Sequence, residues 1–143
     1  MPKQDSVPPE DICNRTFKFS VRLVRLCQHL DEKPGVGRLL SCQLFRSGTA
    51  IGANIEEAQA AQSKADFISK NSIALKEARE TLYWIRLLIA ADILPESRIL
   101  ELRVEADEIA KVVGAIVVST RRNSMKAIVS ALFPFSFFLF NLI

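Results

Sequence analysis

The sequence predicts an all-α chain, an antiparallel up-down-up-down bundle of four helices. Three observations lead there. Apolar residues recur at intervals of three and four over four long stretches. Alanine, leucine and isoleucine are abundant, while the 143 residues include only 5 glycines and 6 prolines. The breaks between the stretches are short, and short connections make consecutive helices antiparallel neighbours. A chain of this length is one domain that can bury a core without disulfides or metals.

Residues 1 to 9 end in Pro8-Pro9 and read as a mobile arm. The first helix runs from about Glu10 to Asp31, with Phe19, Leu23, Leu26 and Leu30 on one face. Lys33-Pro34-Gly35-Val36-Gly37 breaks it, because proline cannot continue the helix and glycine permits the turn. The second helix runs from about Arg38 to Gln59, with Leu40, Leu44, Ile51 and Ile55 as its apolar positions. Between them lie Ser47, Gly48, Ala50, Gly52 and Ala53. Gly48 and Gly52 each weaken an isolated helix by roughly 1 kcal/mol relative to alanine. Close approach of a neighbouring helix is the feature expected to offset that loss.

Ser63-Lys64-Ala65-Asp66 has the spacing of a capping box, with Ser63 as N-cap and Asp66 reaching back. It opens a third helix, from about Lys64 to Ala91, whose seam is Phe67, Asn71, Ala74, Ala78, Leu82, Ile85 and Ile89. Asp66 with Lys70, and Lys76 with Glu80, are spaced as ion pairs four residues apart. Asp92-Ile93-Leu94-Pro95 ends this helix. A fourth runs from about Glu96 to Arg121 through Leu102, Ala106, Ile109, Val113, Ile116 and Thr120. Residues 10–122 therefore form the bundle, and residues 123–143 an apolar extension. From Ala127 to Ile143 there is no charged side chain. As a helix these residues would span about 25 Å, short of the roughly 30 Å hydrocarbon core of a bilayer. Packing against the bundle or a partner is the expected use of this segment, and a membrane tether the less favoured one.

The chemistry of most enzyme classes lacks its residues. His29 is the only histidine, so a catalytic triad would have to use it, and its place near a helix C-terminus reads as structural. No histidine stands three residues after a glutamate, as a di-iron bundle requires. Cys13, Cys27 and Cys42 are odd in number and lack a CxxC spacing, which points to free thiols in a reducing cytoplasm. Gly35-Val36-Gly37 is a turn, not a dinucleotide loop. No secretory signal is legible. The sequence thus predicts no catalytic residue, cofactor or metal, and a cytoplasmic protein that is not an enzyme.

What remains are binding residues. The formal net charge is +3. Arg46, Lys64, Lys70, Arg79 and Arg86 are the candidate phosphate-contacting stripe, although Asp66, Glu77, Glu80 and Asp92 are interleaved with them. Gly48, Gly52, Asn54, Glu57 and Trp84 are the candidate structural or interface residues. Asn54 is expected to face inward or toward a neighbour, Arg46 to meet Glu57 of an adjacent helix or subunit, and Trp84 with Tyr83 to serve a core or interface.

Three segments, Gln43 to Ala58, Ser63 to Phe67 and Ile73 to Thr81, resemble the bacterial four-helix-bundle proteins encoded in intervening sequences of 23S ribosomal RNA genes, often labelled the S23 ribosomal protein family. The resemblance covers about Asp11 to Arg122. That family is similar to the accessory variability protein of diversity-generating retroelements, a pentameric barrel that binds nucleic acid and a reverse transcriptase. The resemblance implies a homo-oligomeric ring, a homopentamer, with RNA or DNA or a protein as partner. This chain is less basic than the retroelement protein, and the residues after Arg122 fall outside the family pattern.

Overall fold

The computed structural model describes the backbone of residues 10–140 and the side chains of residues 10–132. Four helices follow in order: α1, Ile12–Asp31; α2, Val36–Gln59; α3, Lys64–Ala90; and α4, Glu96–Phe140. No strand occurs among the described residues. Each of the first three helices packs on the next, and α1 closes the ring of four against α4 over a smaller area. The fold class is therefore the antiparallel four-helix bundle that the periodicity predicts. The expected arm at residues 1–9 lies outside the described residues.

The core is a single cluster. Phe19 and Leu23 of α1, Leu44, Ile51 and Ile55 of α2, Ile85 and Leu88 of α3, and Ile99, Ile109 and Val113 of α4 are all essentially sealed from solvent. Two seams run one position away from the expected one. On α3 the buried row passes through Thr81 and Leu88, not Leu82 and Ile89. On α4 Val117 is buried where Ile116 was expected. A helix of 3.6 residues per turn drifts against a strict pattern of threes and fours, and the packing partner decides which neighbour turns inward.

The turns carry local chemistry. Gly35 precedes α2 with φ of 141°, a conformation that side-chain-bearing residues avoid. At the start of α3 the Ser63 hydroxyl accepts from the Asp66 amide at 3.0 Å. The Asp66 carboxylate accepts from the Gln62 amide at 3.1 Å, one residue before the position that a capping box predicts. α3 closes in a Schellman motif. The Ile93 amide donates to Leu88 and the Asp92 amide to Ile89, both at 3.0 Å, and Asp92 adopts φ of 55°. Leu94 then returns to the core.

The fourth helix does not stop at Arg121. Nothing between Arg121 and Phe133 breaks a helix, since no glycine or proline occurs there. Up to Leu132 this continuation contributes no buried residue.

Candidate functional site

The small-residue segment of α2 is where two helices come closest. A Cβ added at Gly48 would lie 2.3 Å from Cδ1 of Leu23 and 2.8 Å from its Cδ2. One added at Gly52 would lie 3.2 Å from the Ser20 hydroxyl and 3.5 Å from the Thr16 carbonyl oxygen. The neighbour that the two glycines admit is therefore α1, and burying Leu23 and Phe19 against them offsets the lost helix propensity. Ser41 reinforces the same contact: its hydroxyl donates to the Cys27 carbonyl at 3.2 Å, and the Cys27 thiol returns to the Ser41 carbonyl at 3.6 Å. Burial pushes the Cys27 thiol up to about 11, so it stays protonated and unreactive at neutral pH.

The opposite side of α2 meets α3 through polar groups. The buried hydroxyls of Ser47 and Thr81 lie 3.0 Å apart, and each also reaches a carbonyl of its own helix. Outside them, Arg46 bridges to Glu77 at 3.3 Å and to Glu80, and the Trp84 indole donates to Glu80 at 3.1 Å. The Arg46 hydrogen bond, then the Trp84 one, hold the Glu80 carboxyl below the usual carboxylate range. One turn or more away, Lys70 pairs with Glu57. Trp84 is half-buried and meets Tyr83 edge-on with ring centroids 4.9 Å apart.

Three sequence expectations are corrected here. Arg46 meets Glu77 and Glu80, not Glu57, because α2 and α3 run antiparallel and set the two residues at different levels. Asp66 with Lys70, and Lys76 with Glu80, do not pair, since Lys70 and Glu80 take partners on α2 instead. The Asn54 side chain is half-buried and donates to its own helix at the Ala50 carbonyl, 2.8 Å away, so it reaches no neighbour.

The five candidate cations separate into two groups. Arg46 and Lys70 lie at the α2–α3 seam and are ion-paired. Lys64, Arg79 and Arg86 are exposed and carry no ion pair among the described residues. Spacings of fifteen and seven residues place these three on one face of α3, the side turned toward α4, where Leu82 and Arg86 border a shallow cleft with Arg103, Val104 and Asp107. The sequence gives no sign of this division, because it depends on which acids the neighbouring helix supplies. Ser47 and Thr81 could have been found: both fall on otherwise apolar rows, where a hydroxyl must find a partner.

The outer side of α1 and α2 is apolar. Phe17 is 64% exposed, Leu39 70% and Phe45 47%, with Val21 beside them. Val24, Cys42 and Phe45 line the cleft between the two helices. No group of three or more histidine, cysteine, aspartate or glutamate side chains capable of holding a metal occurs among the described residues. Nor is any helix among them long and apolar enough to cross a membrane.

Comparison with known proteins yields two findings. A family model described as 23S rRNA-intervening sequence protein matches residues 10–115. A solved structure from Bacteroides thetaiotaomicron, of a protein with unknown function from the S23 ribosomal protein family, superposes with a TM-score of 0.70 at 41% identity. The similarity covers 75% of this chain and 98% of that one. A search of curated proteins returned no match.

Proposed function

This chain belongs to the 23S rRNA-intervening sequence protein family, and from that premise we propose a non-catalytic, cytoplasmic bundle that assembles into a homopentameric ring and contacts RNA or DNA through one basic face. The observation that carries the ring is the apolar outer side of α1 and α2. Phe17, Leu39 and Phe45 expose about half or more of their surface there, and an apolar patch of this kind marks a protein interface. A ring covers it by repeating one contact from copy to copy.

The nucleic-acid contact is supported by Lys64, Arg79 and Arg86. They share a face of α3 and have no carboxylate partner among the described residues, so their charge is available to phosphates. Arg46 and Lys70 contribute less, because phosphate would have to displace Glu77, Glu80 and Glu57. The test has two readings on one sample. Light scattering of the purified chain is expected to give five times the monomer mass, and a monomer would end the ring. Retention on RNA or DNA is expected at low salt and its loss at high salt. Absence of retention at low salt would leave a protein-interaction scaffold as the function.

A further inference from the structure

The part of α4 beyond the bundle has a surface the bundle does not explain. Val118 is 65% exposed, Met125 64%, Ile128 56%, Val129 59% and Leu132 62%. They fall at i, i+7, i+10, i+11 and i+14, on one side of the helix. Exposed Arg121, Arg122 and Lys126 lie on that same side: Arg121 within the stripe, Arg122 and Lys126 along its edge. The opposite side carries Ser119, Asn123, Ala127 and Ser130, small and uncharged. An ordinary surface helix separates its cations from its apolar stripe; this one puts them together.

The charge pattern identifies the occupant. No aspartate or glutamate occurs after Glu108. A second copy of this segment would bring only further cations against Arg121, Arg122 and Lys126. A nucleic acid would satisfy the cations but leave four large apolar side chains in water. A bilayer surface with acidic headgroups satisfies both, since apolar side chains enter the acyl boundary while long cationic ones extend to the phosphates. We propose that residues 118–132 form a lipid-docking helix that lies on anionic membrane surfaces and does not span them. The absence of charge from Ala127 to Ile143 is in keeping with that use.

The experiment is flotation of the full chain with vesicles of phosphatidylcholine alone and with 30% phosphatidylglycerol added. The chain is expected to float with the acidic vesicles, with salt weakening the association. Each cation near an acidic surface is worth about five-fold in partitioning, so R121Q/R122Q/K126Q is expected to bind about 100-fold more weakly. M125Q/I128Q/V129Q/L132Q is expected to abolish flotation. Both variants should keep the parent's helical content and melting temperature, because the altered side chains touch no core residue; Arg25→Gln on α1 should bind like the parent. The proposal is overturned if the full chain floats with neither vesicle, or if R121Q/R122Q/K126Q floats like the parent. It is equally overturned if the apolar variant changes the assembly mass without lipid, which would assign the stripe to a second copy. Loss of RNA retention in R121Q/R122Q/K126Q without any vesicle binding by the parent would assign the cations to nucleic acid and overturn it too.

Discussion

Arg15 and Glu105 join α1 to α4 by a two-pronged ion pair, Nε to one carboxylate oxygen at 2.6 Å and Nη2 to the other at 2.9 Å. The pair crosses the seam where the bundle is least packed, and each side chain is about one quarter exposed. The Arg15 hydrogen bond holds the Glu105 carboxyl below its usual range, against the opposing effect of burial. Glu105→Gln is expected to destabilise the fold by about 1–2 kcal/mol at neutral pH, a charge-assisted pair discounted for partial solvent screening. The sign with pH follows from the depressed folded value. The stabilisation is fully present above the unfolded carboxylate's pKa and disappears as pH falls through the lower folded one. Denaturant melts of parent and variant should therefore converge in acid. A difference that persists at the lowest pH would rule out the ion pair as its source.

The glycines separate by what stands opposite them. Alanine at any of the three helical sites gains about 1 kcal/mol of helix propensity. At Gly48 the added methyl would overlap Leu23, which is wholly buried and cannot move aside. Overpacking of that kind costs about 1–3 kcal/mol, so Gly48→Ala should lower stability. At Gly114 the nearest atoms are the Leu75 methyls at 3.9 Å, an ordinary contact. Gly114→Ala should raise the melting temperature by a few degrees. Thermal unfolding by circular dichroism checks both. A stabilised Gly48→Ala would mean that α1 and α2 do not approach as closely as described.

These outcomes mark what the sequence makes legible. The close approach at Gly48 and Gly52 could be read in advance, because only a neighbour compensates two glycines inside a long helix. The boundaries of α2 and α3 were equally legible from Gly35, Ser63 and Pro95. The pairing of charges was not. Arg46 and Lys70 are bound by Glu77, Glu80 and Glu57, and cross-helix register decides that, a property of the packed bundle. Arg15 and Glu105 stand ninety residues apart with no local signal. The length of α4 was also missed. The sequence suggests a stop where the apolar seam ends near Thr120, yet a helix of good formers continues past its last core contact.

Asp92 holds the left-handed position of the α3 C-terminal motif, φ 55°, where glycine is the residue usually found. A side chain there costs roughly 1 kcal/mol through the clash of Cβ with the backbone. The capping bonds are made by main-chain amides, so replacing the side chain removes none of them. Asp92→Gly is expected to leave the structure unchanged and to stabilise it by about 0.5–1 kcal/mol, part of the gain being lost to the freer unfolded chain. Chemical denaturation checks this: an unchanged slope with a higher midpoint is the expected result, and a lower midpoint would mean that the carboxylate contributes more than the backbone strain removes.

The two groups of cations give a prediction that total charge alone does not. K64Q/R79Q/R86Q removes three charges that have no ion pair among the described residues, on one face of α3. R46Q/K70Q removes two charges already engaged by carboxylates. If RNA is bound along that face, each lost phosphate contact lowers the slope of log affinity against log salt by about 0.7–0.9. The triple variant should therefore flatten the slope by about 2–3 and weaken binding most at low salt. R46Q/K70Q removes two cations yet frees three carboxylates, so its slope should hold nearly constant while its melting temperature falls slightly. Filter binding across a salt series separates the cases. Equal slope changes per charge in the two variants would mean that RNA responds to net charge and not to this face.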